Sequence, residues 1–129
     1  MNNKTQLVHD IGQEVLEAKA LAGRDWKALS LVVDLGEGSF SQSGFLYFDN
    51  DGESFTAISK QRRKLSNLCK ELRDLMSIEF SVKVSQMLIQ LVRDGNKLNI
   101  EFDNSSNGKW TISPSNIDNM KEKIKPALQ

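Results

Sequence analysis

The run Asp49-Asn50-Asp51-Gly52-Glu53 puts three carboxylates within five residues, the density at which oxygen ligands collect around a calcium ion. A calcium-binding EF-hand loop carries its Gly at the sixth position and a bidentate Glu at the twelfth. Here the Gly stands fourth, so the run reads as a solvated turn. Gly36-Glu37-Gly38 is a fragment of a dinucleotide fingerprint, but Ser41 occupies the place of the third Gly and a strand follows where a helix is needed. Cys69 continues a stripe of leucines with no local base to activate it, which is the setting of a buried apolar thiol. His9 lies beside Asp10 near the apolar stripe of a helix and has no nucleophile to serve. One Cys and one His can supply neither an internal disulfide nor the four ligands of a structural zinc site. Asn104-Ser105-Ser106 matches a glycosylation sequon and reads as a loop. No catalytic residue, metal ligand or cofactor is assigned. The expectation is a binding protein and not an enzyme.

Charge supplies the positive signal. The 129 residues carry 17 Lys plus Arg against 17 Asp plus Glu, a net of zero that argues against direct nucleic-acid binding. The balance is segmental. Residues 1–57 hold four basic and nine acidic side chains, a net of −5, residues 58–97 hold nine and four, a net of +5, and the remainder is even. Two explanations follow: pairing between the first and second helices, or acidic loops presented to a basic partner such as the phosphate-binding cleft of a nuclease. The chain contains no apolar run of membrane-spanning length and begins on a polar helix, so a cytoplasmic protein with no membrane contact is expected.

The length fits one domain spanning residues 1–129. Across residues 3–22, Leu7, Ile11, Val15, Ala18 and Ala22 recur at helical spacing, and Gly23 ends the segment. The period then drops to two. Leu29, Leu31, Val33 and Leu35 alternate with Ala28, Ser30, Val32 and Asp34, the pattern of a strand with one face on a core. Gly44-Phe45-Leu46-Tyr47-Phe48 and Ser54-Phe55-Thr56-Ala57-Ile58 flank turn chemistry and predict a hairpin. Ser59 is placed to cap a second helix striped with Leu65, Leu68, Cys69, Leu72, Leu75 and Met76. Residues 78–92 fit both helix and strand. The turn Asp94-Gly95-Asn96 before Leu98-Asn99-Ile100-Glu101-Phe102 favours a strand ending near Arg93. Ser113-Pro114 is expected to start a last helix bearing Ile117, Met120, Ile124 and Leu128. The order is helix, three strands, helix, two or three strands, helix, an α+β fold with an antiparallel sheet covered by helices.

The run Asp25-Trp26-Lys27-Ala28-Leu29-Ser30-Leu31, followed by Glu37-Gly38-Ser39 and Gly44-Phe45-Leu46-Tyr47-Phe48, resembles the YezG-like immunity proteins of bacterial polymorphic toxin systems. Asp94-Gly95-Asn96-Lys97-Leu98-Asn99-Ile100-Glu101-Phe102-Asp103 is similar to that family's Gly-Lys hairpin leading to an acidic-aromatic strand end. The resemblance implies a small cytoplasmic protein that binds and neutralises a toxin domain, often a nuclease, including toxins delivered by contact-dependent growth inhibition. Asp34, Glu37, Asp49, Asp51 and Glu53 are the acidic contact candidates, with Phe40 and Tyr47 as aromatic anchors unless they pack in the core. The free protein is expected to be a monomer. A type III secretion chaperone, which dimerises around an effector segment, is the competing class; such chaperones are usually acidic, and this chain is neutral.

Overall fold

The computed structural model describes residues 3–49, 51–61, 63–105 and 108–126, and for Glu37 the backbone alone. Leu128, expected on the last helix, lies outside the described residues. The elements are α1 (Lys4–Leu16), β1 (Ala28–Asp34), β2 (Ser41–Tyr47), β3 (Gly52–Phe55), α2 (Lys64–Phe80), β4 (Gln86–Val92), β5 (Lys97–Asp103) and α3 (Ile117–Lys123). The strands form one antiparallel sheet in the order β3-β2-β1-β4-β5. The fold is the α+β arrangement expected, with two strands after α2.

Several boundaries differ from the local pattern because a distant group captures the chain. α1 is capped by Asn3, whose Oδ1 accepts from the Gln6 N–H at 2.8 Å, but the helix stops at Leu16 and not near residue 22. A short 3-10 turn, Lys19–Leu21, follows because the Lys19 N–H donates to the Ile58 carbonyl at 2.8 Å. Ala18 and Leu21 stay buried, so the apolar stripe outlasts the helix. Likewise, β3 ends at Phe55, short of Ile58. The Gln42 side chain replaces a strand there, accepting from the Ala57 N–H at 2.6 Å and donating to its carbonyl at 3.1 Å.

Ser59 is not the cap of α2, which begins at Lys64 without a side-chain cap. Its hydroxyl instead donates to the buried carboxylate of Glu14, tying the chain to α1. α2 runs on through Phe80 and closes with Ser81 in the left-handed region at φ 55°, which resolves residues 78–92 into a helix end, a connection and β4. Ser113 does not cap α3 either. The Asn116 side chain sets that start, accepting from the Ser113 N–H at 2.7 Å and donating to the Thr111 carbonyl at 2.9 Å.

The central strand β1 has both faces covered, where alternation predicted one. Leu29, Leu31 and Val33 pack with Met87 and Ile89 beneath α1 and α2. Ala28 and Val32 pack with Phe45, Leu88, Trp110, Met120 and Ile124 on the opposite face. Each fully buried aliphatic or aromatic side chain removes enough apolar surface to favour folding by about 1.5–3 kcal/mol. Cys69 belongs to the first core, fully enclosed, and burial pushes its thiol up to about 12. Cys69→Ser is expected to lower stability by about 1–3 kcal/mol through a buried hydroxyl, with partner affinity unchanged. Urea unfolding beside a binding titration reads both quantities; a normally stable variant that no longer binds contradicts the buried-thiol reading.

Candidate functional site

The five strands bring loops to two opposite ends of the sheet. The segment 24–27, the turn 48–51 and the turn 93–96 share one end, because β1 starts where β2 and β4 finish. The loop after β1 lies at the other, about 20 Å away along a seven-residue strand. This separation divides the acidic candidates. Asp49, Asp51 and Glu53 sit at the first end, while Asp34 and the backbone of Glu37 sit at the second.

Burial removes some candidates from the surface. Tyr47 is 1% exposed, and its hydroxyl donates to the Lys121 carbonyl at 2.7 Å, so it anchors α3 instead of a partner. Burial pushes its phenol up to about 12, with the Ser30 hydrogen bond opposing and the charge of Glu122 assisting. Phe40 is half-buried against the α1–α2 core. Asp34 is also half-buried, its carboxylate accepting from the Gly36 N–H at 2.9 Å and the Gln86 amide at 3.3 Å. Glu53 is exposed but committed to Arg24 in a two-pronged pair at 2.7 and 2.8 Å. That hydrogen-bonded pair holds the Glu53 carboxyl below its ordinary range and raises the Arg24 guanidinium.

In place of the dispersed set, the structure gathers Asp25, Asp49 and Asp94 around a cleft of about 530 Å³ that Trp26, Lys27 and Arg93 also line. Asp51 stands exposed on the same turn as Asp49. Asp25 and Asp94 escaped the sequence reading because they are far from residue 49 in the chain. The signal was nevertheless there: two hairpins on either side of one central strand must turn at the same end when all three strands are antiparallel.

Hydrogen bonds tie that end of the molecule together. Beyond the strands, the Lys27 N–H donates to the Tyr47 carbonyl at 2.7 Å and the Arg93 N–H to the Lys27 carbonyl at 2.9 Å. The Phe48 N–H closes the first turn onto the Asp51 carbonyl at 2.8 Å, and the Arg24 guanidinium lies 4.9 Å over the Phe48 ring. Gly95 at φ 81° and Asn96 at φ 50° supply the left-handed backbone that the second turn requires. No family model and no curated protein matches the chain.

Pairing between α1 and α2 accounts for little of the charge split. Among the described residues the ion pair joining them is Lys64 Nζ to Glu14 Oε2 at 3.9 Å, and that oxygen accepts no hydrogen bond, the Ser59 hydroxyl donating to Oε1 instead. Among the described residues, Glu17, Asp25, Asp49, Asp51 and Glu53 of the first segment and Lys60, Arg63, Lys64, Lys83, Arg93 and Lys97 of the second are exposed. Among the described residues no group of three or more His, Cys, Asp or Glu side chains is arranged to hold a metal ion, and no helix is long and apolar enough to cross a membrane. His9 is exposed, with Asp10 3.7 Å away.

Proposed function

We propose that this chain is a cytoplasmic immunity protein that binds and neutralises a cognate bacterial toxin domain, a nuclease in the first instance, by occluding its active site or an adjacent surface. The observation that carries this reading is the convergence of the exposed Asp25, Asp49, Asp51 and Asp94 on one end of the sheet that backbone hydrogen bonds tie together. A nuclease cleft built to hold phosphates is basic, and a preformed acidic rim steers such a surface into contact and suppresses unlike partners. Turns already closed by hydrogen bonds keep the ordering cost of binding small. The family resemblance around Asp25-Trp26-Lys27 and Asp94-Gly95-Asn96 points the same way. The protein is a monomer when free, needs no cofactor and makes no direct contact with nucleic acid.

The test uses the product of the neighbouring reading frame, co-expressed and co-purified with this chain. The two form a stable complex in which the neighbour's toxic activity is blocked. Reversing two charges with Asp49→Lys and Asp94→Lys leaves folding intact, since both are exposed, and weakens the complex about tenfold, chiefly in association rate and more at low salt. Affinity unchanged at both low and moderate salt removes the acidic end from the interface. A neighbour that neither binds nor is inhibited, or a stable homodimer of this chain wrapped around an unfolded segment, overturns the reading.

A further inference from the structure

A second cleft, of about 640 Å³, adjoins the acidic one and shares Trp26, Val92 and Arg93 with it. Its character is opposite. Leu16, Leu21 and Leu91 provide apolar lining, while Lys19, Lys60 and Arg93 stand around it against the single carboxylate of Glu17. These cations come from three distant parts of the chain. Lys19 lies on the 3-10 turn after α1, Lys60 on the segment held to that turn through the Lys19–Ile58 backbone hydrogen bond, and Arg93 at the end of β4. Among the described residues none of the three forms an ion pair. Arg93 is nonetheless fixed: its guanidinium donates to the Arg24 carbonyl at 3.0 Å and the Trp26 carbonyl at 3.4 Å and lies 5.2 Å over the Trp26 ring.

We infer that this cleft is a binding site for an extended acidic peptide segment carrying aliphatic side chains, a site distinct from the acidic rim and not dependent on the immunity reading. Three cations that form no ion pair among the described residues, set around an apolar floor, complement carboxylates alternating with Leu, Ile or Val, because a strand-like peptide sends alternate side chains to opposite sides. Exposed aliphatic surface is already present at the site: Leu16, which lines it, is 37% exposed. The shape favours a peptide as well. A smaller cleft lined by His9, Gly12 and Gln13 shares Leu16, Leu91 and Asn96 with this one, so the groove follows α1. From His9 to Leu16 the helical rise alone covers about 10 Å, the length of about three extended residues. A nucleotide fits less well, since a base needs an open aromatic face and the Arg93 guanidinium already lies over Trp26.

The experiment titrates the full, isotopically labelled chain with peptides of about eight residues in which Glu alternates with Leu, Ile or Val, following amide and indole resonances by NMR. The acidic peptides shift Lys19, Ser59, Gln61 and the Trp26 indole, and versions with Gln in place of Glu bind at least about tenfold more weakly. Lys19→Glu with Lys60→Glu abolishes the shifts, and Lys19→Gln with Lys60→Gln weakens binding to an intermediate degree. Retained spectral dispersion shows that both double variants are folded. Asp49→Lys with Asp94→Lys leaves peptide binding intact while weakening the proposed toxin complex, which separates failure of this site from failure of the immunity reading. No shift at millimolar peptide, equal binding of Glu and Gln peptides, shifts centred elsewhere, or a response to oligothymidylate alone overturns the proposal.

Discussion

Gly44→Ala is expected to unfold the protein or leave it barely stable. Gly44 lies in β2 opposite Leu31 of β1, and a Cβ built there falls 2.0 Å from the Ser30 carbonyl oxygen and 2.8 Å from the Leu31 Cα. Both obstacles are backbone, so no side-chain rotation relieves the contact. β1 cannot yield easily either, being paired along its whole length to β2 and β4. Overpacking in a core typically costs about 1–3 kcal/mol, and a backbone collision in a central strand belongs at or above the top of that range. Against a total stability of about 5–15 kcal/mol for a domain, that loss is large. The sign is diagnostic, because Gly→Ala at an unstrained position stabilises by about 0.4–1 kcal/mol through the unfolded chain. Urea denaturation of the purified variant decides it; a midpoint equal to or above that of the parent shows that the two strands are not this close.

Trp110→Ala is expected to cost about 3–5 kcal/mol, the usual penalty for emptying a large buried aromatic site. Trp110 is buried in the second core with Phe45, Leu88, Met120 and Ile124, and its backbone N–H donates to the Gln86 side-chain carbonyl at 3.0 Å. The cavity forms between the sheet and the C-terminal segment. That segment is also joined to the sheet by the buried Met120 and Ile124 side chains and by polar contacts, Tyr47 to the Lys121 carbonyl, and Ser30 and Gln90 to the Ile124 carbonyl. Native-state hydrogen exchange in the variant should therefore quicken first at Met120 and Ile124, whose amides close the α3 turns. A loss under about 1 kcal/mol, or exchange that quickens first in α1 and α2, would show that the segment is an accessory to the fold and not half of its core.

Much of this architecture is written locally. Helical spacing in α1 and α2, the alternation of β1 and β5, and the turn residues 49–52 and 94–96 each specify an element without reference to the rest of the chain, and the antiparallel order follows from short connections between adjacent strands. The buried state of Cys69 is legible for the same reason, since Leu65, four residues before it, and Leu72, three after it, share its helical stripe. Local preference gives way where a partner from far along the chain supersedes it. Ser59 has the composition of a helix cap, yet the Glu14 carboxylate, 45 residues earlier, takes its hydroxyl.

The second core face is the clearest instance of tertiary control. Ser30 and Gln86 occupy polar positions of alternating strands and read as solvent-facing, yet they are 0% and 2% exposed. A polar side chain can enter a core only if its hydrogen bonds are met there. Those partners, the Ile124 carbonyl, the Trp110 N–H and the Thr111 hydroxyl, lie 94, 24 and 25 residues away. Charge followed the same division. That an acidic segment precedes a basic one is a count of side chains and needs no fold. Long-range packing is what commits Asp34 and Tyr47 to internal bonds, brings Asp25 and Asp94 beside Asp49, and sets Lys19, Lys60 and Arg93 around one apolar groove. Local periodicity records the conformation of a segment, whereas the surface it faces is set by which distant segment satisfies its buried groups.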